Sequence, residues 1–286
     1  MNNSLAVMPP DWLHPDWPAP ANVRAVFTTR SGGGSIAPWD SMNLGSHVGD
    51  APEHVAANRA ALQAAIGSRP VFLNQTHGVA VATLLQPSTD GVEADACVTA
   101  QRGVACTIMV ADCLPVLLAT ACGSVIGAAH AGWRGLAGNN GTADSGNSGQ
   151  GVLEAAVAAI YKTFSALAQS NRARAAPEII AWLGPCIGPT AFEVGAEVAA
   201  AFVSTQAGVG RCFTSAGVGK YKADLAGLAR LRLQALGVSQ ISGNDSSLEW
   251  CTASNASRFF SHRRDAGVTG NGRGTTGRMA ASIWLA

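Results

Sequence analysis

The sequence predicts an α+β fold, because apolar strand-like segments cluster in the first half of the chain and helical segments enter mainly in the second. Several of these segments are continuous apolar runs, which is typical of strands buried on both faces. Strands and helices do not alternate regularly, so a doubly wound parallel sheet is disfavoured. The 286 residues are 48% hydrophobic, which is enough for a sizeable core.

The predicted elements begin with an extended arm at residues 1–22, which is rich in proline. Asp50 and Glu53 have the spacing of a capping box, which predicts the start of a helix that ends at Gly67. The other elements are short strands and helices bounded by turn residues. The strands are predicted at 23–29, 71–73, 79–85, 104–110, 115–119, 125–129, 179–183 and 280–285. The further helices are predicted at 152–167, 193–203 and 223–236.

Two polar stretches interrupt this pattern. Residues 139–150, NNGTADSGNSGQ, are rich in glycine and serine and are predicted to form a flexible insertion. Residues 269–277 have the same character. We therefore expect the rigid functional groups to lie elsewhere.

The charge of the chain argues against some classes of partner, and its cysteines indicate a location. Charged residues make up 13% of the chain and the net charge is +1, so nothing favours nucleic acid or an anionic membrane as a partner. No apolar run approaches the ~18 residues of a membrane-spanning helix. The N-terminus does not have the pattern of a secretory signal, and seven cysteines are scattered without a framework. Reduced thiols and a cytoplasmic location are expected; the oligomeric state stays open.

Three short stretches place a histidine or a cysteine at the end of a strand. His77 lies in Asn-Gln-Thr-His-Gly (74–78), Cys113 in Ala-Asp-Cys-Leu-Pro (111–115) and His130 in Ala-His-Ala-Gly-Trp-Arg-Gly (129–135). Side chains at strand ends converge while the sheet keeps them rigid. Two imidazoles and a thiolate suit a catalytic zinc ion, whose fourth position is left to water or substrate.

Alternatives to metal binding stay open from the residues alone. Spacings of thirty-six and seventeen residues are unlike those of a zinc finger, and single His and Cys residues at strand ends are often structural. Cys113 is also a candidate nucleophile with His130 or His77 as its base. Asp112, beside it, is a candidate proton carrier or an ordinary turn cap.

Taken together, the motifs resemble those of the YfiH-type, laccase-domain family. The resemblance covers about residues 23 to 285 in the family's order. It is carried by Asn-Gln-Thr-His-Gly (74–78), Ala-Asp-Cys-Leu-Pro-Val-Leu-Leu (111–118), Ala-His-Ala-Gly-Trp-Arg-Gly (129–135), Gly-Pro-Cys-Ile-Gly-Pro (184–189), Glu-Val-Gly (193–195), Cys-Thr (251–252), Phe-Phe-Ser-His-Arg-Arg (259–264) and Thr-Gly-Arg-Met-Ala-Ala (276–281).

The resemblance implies a single domain over residues 23–286, built on a mixed β-sandwich with flanking helices. It implies that His77, Cys113 and His130 hold the metal. The activities it implies are phosphorolysis of adenosine, inosine, guanosine and methylthioadenosine, together with deamination of adenosine. The expected partners are therefore a nucleoside and phosphate.

The expected chemistry uses zinc as the cofactor. A zinc ion lowers the pKa of a water molecule toward ~7 for attack on adenine, or anchors a phosphate beside the ribose. Arg30, Arg134 and Arg264 are candidates to neutralise that phosphate. Asp112 is a candidate to pass a proton to the base, and Cys113 is the second candidate catalytic residue.

Two rival functions share these residues. One is an amidase or hydrolase that edits cell-wall precursors, which needs the same zinc-activated water in a different pocket. The other is a copper oxidase of phenols, a name the family also carries. Multicopper oxidation needs many histidines, and this chain has six, so zinc is expected rather than copper.

Overall fold

Two β-sheets packed face to face form the centre of the structure. The structure is a computed structural model, and it describes residues 9–138, 150–168, 176–203, 208–265 and 275–286. The predicted insertion at 139–150 lies outside the described residues except for its last position. Within the described residues, no helix is long and apolar enough to cross a membrane.

The strands and helices of the described residues are numbered in chain order. The strands are β1 (Val23–Phe27), β2 (Arg69–Phe72), β3 (Val81–Thr83), β4 (Ala96–Thr99), β5 (Val104–Val110), β6 (Leu114–Thr120), β7 (Ile126–Ala131), β8 (Ile179–Leu183), β9 (Glu193–Gly195), β10 (Phe213–Gly217), β11 (Lys220–Ala223), β12 (Gln240–Gly243) and β13 (Met279–Leu285). The α-helices are α1 (Pro52–Ile66), α2 (Trp133–Ala137), α3 (Val152–Ala168), α4 (Ala196–Val203), α5 (Leu225–Ala235) and α6 (His262–Asp265). Two 3-10 turns lie at Val209–Cys212 and Leu248–Trp250.

Within the described residues, the strands form two large sheets of mixed direction and one small antiparallel sheet. One has the order β1-β13-β5-β2 and the second the order β12-β8-β6-β7-β4-β3, while β10, β11 and β9 form a small third sheet. The pairs β2–β5, β3–β4 and β8–β12 are parallel, whereas the other neighbours are antiparallel. The mixed β-sandwich and the α+β class are confirmed.

The two large sheets and the helices form successive layers. Apolar side chains of β5 and β13 meet those of β6, β7 and β8 between the sheets. The other face of the six-stranded sheet is covered by α3, α4 and α5, and the other face of the four-stranded sheet by α1. Strands β5 and β6 are therefore buried along their whole length, which explains their continuous apolar sequences.

The arm packs on the body where the structure describes it. Leu13 forms a β-bridge with Phe27, and Trp12 is almost fully buried beside α1. Burial of such a side chain contributes about 1.5–3 kcal/mol. The segment is thus part of the fold from residue 9 onward.

Two details of the predicted helices are wrong. Helix α1 begins at Pro52 with Ala51 at its N-cap, and no side chain caps it. Asp50 instead accepts hydrogen bonds from Ser35 and Asn43, so the capping box does not form. The helix ends at Gly67 as predicted, with a φ of 66°.

The second error concerns the predicted helix at 193–203. Its first three residues form strand β9, which pairs with β11, and helix α4 begins only at Ala196. Pairing with a distant strand satisfies the backbone groups of these residues. Four further strands, β4, β10, β11 and β12, lie where no strand was predicted.

A candidate metal centre in a cavity

Three segments bring His77, Cys113 and His130 together. Their ligand atoms all lie within 4.8 Å of one another. The Sγ atom of Cys113 is 3.7 Å from Nε2 of His77, and the rings of the two histidines meet edge to face with centroids 4.7 Å apart. The structure thus assembles the three residues that the sequence singled out.

Sheet register places two of the three side chains. Strands β6 and β7 are antiparallel neighbours, and Leu114 pairs with Ala131. Cys113 immediately precedes β6, and His130 is the penultimate residue of β7. Because adjacent strands fix both residues, their separation is set by the backbone rather than by a loop.

A buried carboxylate, Asp95, holds the loop that carries His77. Its oxygens accept hydrogen bonds from the backbone N–H groups of Thr76 (3.1 Å), His77 (2.9 Å) and Gly78 (2.7 Å). His77 has a φ of 62°, a left-handed conformation that costs a non-glycine residue about 1–2 kcal/mol. Hydrogen bonds to a charged group contribute about 1.5–3 kcal/mol each, so Asp95 offsets that cost and fixes the loop.

The same carboxylate orients His130. Ala96 of β4 pairs with Ala129 of β7, which sets Asp95 beside His130, and Nδ1 of His130 lies 2.8 Å from Oδ1 of Asp95. With Nδ1 engaged, Nε2 is the nitrogen left to bind a metal. Burial alone would raise the pKa of Asp95, but hydrogen bonds from His130 and Gly78 outweigh it and lower that pKa.

Cys113 and His130 perturb each other's ionisation. Burial would raise the pKa of the Cys113 thiol, but the charge and hydrogen bonding of His130, and then those of His77, lower it to about 6. Burial would lower the pKa of His130, but Cys113 and Asp95 raise it to about 9. The sulfur is therefore set up as a thiolate, the form that binds metal and the form that acts as a nucleophile.

The room for this cluster depends on Gly132. A Cβ atom at this position would lie 2.9 Å from Sγ of Cys113 and 3.0 Å from Cδ2 of His77. Gly135, one turn on, would place a Cβ only 2.7 Å from the carbonyl oxygen of Gly78. The glycines of the Ala-His-Ala-Gly-Trp-Arg-Gly motif thus let the ligand segments approach one another.

The donor set fits a tetrahedral zinc ion with one open position. Zinc bonds of about 2.3 Å to sulfur and 2.0–2.1 Å to nitrogen separate two tetrahedral donors by about 3.6 Å. The 3.7 Å between Cys113 and His77 matches that spacing. The pairing of Asp95 with the far nitrogen of His130 is the usual outer support of a metal-bound histidine.

Asp112 has both carboxylate oxygens engaged within the protein. One accepts the hydroxyl of Thr252 and the other the backbone N–H of Arg263, both at 2.6 Å. Its φ is 91°, and its carbonyl oxygen accepts the N–H of Ile187. Asp112 therefore ties the segments around Ile187, Thr252 and Arg263 to the strand end that carries Cys113.

A cavity of about 630 Å³ opens onto the three ligands, within the range of about 300–1,000 Å³ for small-molecule sites. Its wall combines apolar and aromatic side chains with cationic or titratable ones, and Asp112 is the only carboxylate among the described lining residues. The lining residues are His47, Leu73, Asn74, Gln75, His77, Met109, Val110, Ala111, Asp112, Cys113, His130, Trp133, Arg134, Ile187, Phe192, Leu225, His262, Arg263 and Arg278.

The three arginines predicted to bind substrate lie in different places. Arg134 lines the cavity and stacks over Trp133 at 4.5 Å. Arg30 does not line it, and its guanidinium binds Asp40 and the carbonyl oxygen of Ala256. Arg264 does not line it either, because its guanidinium binds Asp265 and the carbonyl oxygens of residues 252, 253 and 259.

Sequence reasoning missed three residues of this site: Asp95, His47 and Arg278. Asp95 precedes an unpredicted strand, and only the register of that strand links it to His130. Arg278 lies in the Thr-Gly-Arg-Met-Ala-Ala motif, which was a signal without an assigned role. His47 carried no local signal.

The chain is similar to proteins of several bacteria. A sequence model of the family described as multi-copper polyphenol oxidoreductase laccase matches residues 24–286. A Pseudomonas aeruginosa protein named purine nucleoside phosphorylase is 46% identical over 275 residues, which cover 96% of this chain and 98% of that protein. The Escherichia coli purine nucleoside phosphorylase YfiH is 44% identical over 274 residues, or 95% and 97% of the two chains.

Solved structures are similar over the same length. A Neisseria meningitidis protein of the family DUF152 superposes with a TM-score of 0.78 and 40% identity, covering 96% of this chain and 99% of that one. The Bacillus licheniformis hypothetical protein YfiH superposes with a TM-score of 0.74 and 28% identity, covering 92% and 93%.

Proposed function

We propose that this chain, which belongs to the multi-copper polyphenol oxidoreductase laccase family, is a zinc-dependent purine nucleoside phosphorylase. The membership confirms the resemblance to YfiH-type proteins. Relatives that cover nearly the whole chain carry the name purine nucleoside phosphorylase, which supports an enzyme that acts on small molecules. The substrates expected are adenosine, inosine, guanosine and methylthioadenosine.

The observation that carries the proposal is the combination of an open three-ligand centre with a cationic cavity. His77, Cys113 and His130 line it, and so do Arg134, Arg263 and Arg278. A phosphorylase must hold a phosphate anion against a nucleoside. Guanidinium groups match a phosphate, and apolar and aromatic walls suit a purine.

The residues have distinct parts in this proposal. When bound, zinc would supply Lewis acidity within the cavity. Cys113, with its lowered pKa, contributes the thiolate ligand, and Asp95 fixes the two histidines. Arg134 is an exposed residue of the cavity lining, where it would contact substrate. Asp112 is a positioning residue because its oxygens hold Thr252 and Arg263.

The reaction transfers the ribosyl group to phosphate. The bond between C1′ of the ribose and the purine nitrogen breaks, and a bond between C1′ and a phosphate oxygen forms. The purine nitrogen takes up a proton, so the products are the free base and ribose 1-phosphate. The predicted substrate contacts of Arg30 and Arg264 stay predictions, since neither residue lines the cavity.

The same centre would serve deamination of adenosine, the second activity that we propose. That reaction needs water in place of phosphate. Among the described residues, one group of three histidine, cysteine or acidic side chains is placed to hold a metal. Both activities are therefore expected to depend on the same three ligands.

The ligand count favours zinc over multicopper chemistry. All six histidines lie in the described part of the chain, and the one candidate metal group found there uses two of them. A type 1 copper together with a three-copper cluster needs more histidines than this group offers. We also keep the cytoplasm as the proposed location, because no disulfide joins any of the seven cysteines, all of which lie in the described residues.

Product analysis tests the proposal. Metal-replete protein is incubated with inosine, with and without phosphate, and the products are identified by chromatography. Hypoxanthine and ribose 1-phosphate should form only with phosphate, and Cys113→Ala should abolish them. Cys122→Ser is the matched control, because this exposed cysteine lies outside the cavity.

Other products would contradict the proposal. Release of the base without phosphate would indicate a hydrolase, and inertness toward all purine nucleosides would favour the editing amidase. A Cys113→Ala variant that binds metal and yet is inactive would favour the thiolate as nucleophile.

A further inference from the structure

Arg278 lines the cavity that holds the three metal ligands, and it interacts with charges at that centre. Burial lowers its pKa, and the negative charges of Cys113 and Asp112 act in the opposite direction. Its guanidinium therefore lies close enough to Cys113 and Asp112 to interact with their charges. Both oxygens of Asp112 are already bound to Thr252 and Arg263, so that carboxylate does not occupy the guanidinium.

Most of the hydrogen-bonding capacity of Arg278 is unused within the described part of the chain. Nη1 donates to the carbonyl oxygens of Thr276 and Gly277. Neither Nε nor Nη2 has an acceptor among the described residues, and no described carboxylate forms an ion pair with this side chain. A half-buried guanidinium with two open donors on a cavity wall is suited to an anionic ligand.

A buried polar network fixes Arg278. The side-chain oxygen of Asn43 accepts the backbone N–H of Arg278 at 2.9 Å, and the backbone N–H of Leu44 donates to the carbonyl oxygen of Arg278. A Cβ at Gly45 would lie 2.7 Å from Cγ of Arg278, so the glycine lets the arginine stem pack against this loop. Asn43 is in turn held by Asp50 at 2.8 Å.

The same loop carries His47 to the cavity wall. Its pKa is lowered by partial burial and then by the positive charges of Arg278 and Arg59. Arg59 has a carboxylate partner, Asp90, at 3.7 Å, whereas Arg278 has none in the described residues. His47 therefore presents a largely neutral imidazole, with an N–H donor, beside an unneutralised guanidinium.

The other two cavity arginines are placed less favourably for an anion beside the metal ligands. Arg134 is exposed and stacks on Trp133. Arg263 is also exposed, stacks on Phe192, and donates through Nη1 to the carbonyl oxygens of residues 191 and 193.

We propose that Arg278 and His47 form a phosphate subsite beside the three metal ligands, and that its ligand is inorganic phosphate. The proposal rests on the function proposed above and assigns the position of the second substrate. Arg278 binds the anion through Nε and Nη2, and the His47 imidazole adds a further donor. The Ser35, Asn43, Asp50 and Asn58 network positions both residues.

Equilibrium binding of inorganic phosphate to the metal-replete protein tests this subsite by calorimetry. Arg278→Gln should weaken phosphate binding about 10- to 100-fold, which corresponds to the loss of a charge-assisted contact. His47→Ala should weaken it less, and Arg278→Lys should fall between wild type and Arg278→Gln. Arg24→Gln removes an exposed arginine outside the cavity and should change nothing.

Circular dichroism, metal content and adenosine binding accompany each variant. Unchanged phosphate binding in Arg278→Gln overturns the subsite, and so does an equal loss of phosphate and adenosine binding. If Arg278→Gln fails to fold, Arg278→Lys decides: phosphate affinity equal to that of wild type overturns the assignment.

Two further comparisons separate the alternatives. If the subsite takes the 5′-phosphate of a nucleotide, adenosine monophosphate will bind more tightly than adenosine in wild type alone and will displace inorganic phosphate, which contradicts our choice of ligand. Phosphate binding that depends on Arg278 in a protein that cleaves no nucleoside would keep the subsite and overturn the proposed function. Phosphorolysis with an unchanged KM for phosphate in Arg278→Gln would overturn the subsite alone.

Discussion

Substitution of Gly132 by alanine should damage the metal centre while leaving the backbone in place. Gly132 has φ −66° and ψ 160°, a conformation that alanine adopts without strain. The added Cβ would lie 2.9 Å from Sγ of Cys113 and 3.0 Å from Cδ2 of His77. Comfortable separations begin near 3.5 Å, so the two ligands must move apart by about 0.5 Å.

That displacement matters because functional sites tolerate errors of only about 0.5 Å. We expect zinc affinity to fall about 10- to 100-fold, the range seen when the support of a metal ligand is lost. The free energy of unfolding should fall by about 1–3 kcal/mol, as for other overpacked interiors. Zinc affinity is measured by competition with a chromophoric chelator, and stability by urea unfolding of the metal-free protein.

Gly210→Ala is the matched control, because a Cβ there meets nothing within 4 Å. It should keep the zinc affinity of wild type. If Gly132→Ala binds zinc as tightly as the control and keeps its turnover, the three side chains do not form the centre described above.

Three further predictions concern Asp95, Asp50 and the segment 139–149. Asp95→Asn removes the charge that orients a histidine ligand, so zinc affinity should fall about 10- to 100-fold. Zinc affinity is measured by calorimetry, and a value equal to that of wild type would contradict this prediction. Burial would raise the pKa of Asp50, but hydrogen bonds from Asn43 and Ser35 lower it. The ionised carboxylate therefore stabilises the fold at pH values above its ordinary pKa of 3.8, and this contribution is lost as the pH falls through the lowered pKa. Asp50→Asn should therefore cost about 1–3 kcal/mol at neutral pH and less in acid; a constant difference in urea unfolding from neutral to acid would refute that sign. Gly138 lies against Gln150, since a Cβ on Gly138 would be 2.5 Å from the carbonyl oxygen of Gln150. Replacing 139–149 with a short Gly-Ser link should therefore shift the free energy of unfolding by only about 0.6 kcal/mol per halving of length. A large loss of stability would show that the segment packs on the body.

The sequence predicted best those elements whose burial is uniform. Strands β5 and β8 have the predicted bounds, 104–110 and 179–183, because a continuous apolar run ends where the buried layer ends. Strand β9 was taken for the start of a helix, since Glu193 and its neighbours continue into the helical pattern of α4. Its strand conformation depends on pairing with β11, almost thirty residues away, which no local pattern encodes.

Prediction of the candidate site was limited in the same way, because contacts made by long-range strand pairing leave no local signal in the sequence. Its three ligands could be singled out because histidine and cysteine at strand ends carry recognisable chemistry. Asp95 could not, because its link to His130 exists only through the pairing of β4 with β7. Arg278 and His47 line the same cavity although they lie far apart in the sequence. The contact that ties Arg278 to the segment before His47 is its backbone hydrogen bond to the side chain of Asn43, which no local pattern encodes.

The central claim is that one metal ion, held by His77, Cys113 and His130, supports phosphorolysis. The most direct test strips the protein with a chelator and follows phosphate-dependent cleavage of inosine as zinc is added back. The rate should rise linearly and level off at about one zinc per chain, and His130→Ala should neither bind the ion nor recover. Full turnover of the stripped protein, or recovery only with several equivalents of copper, would contradict the account.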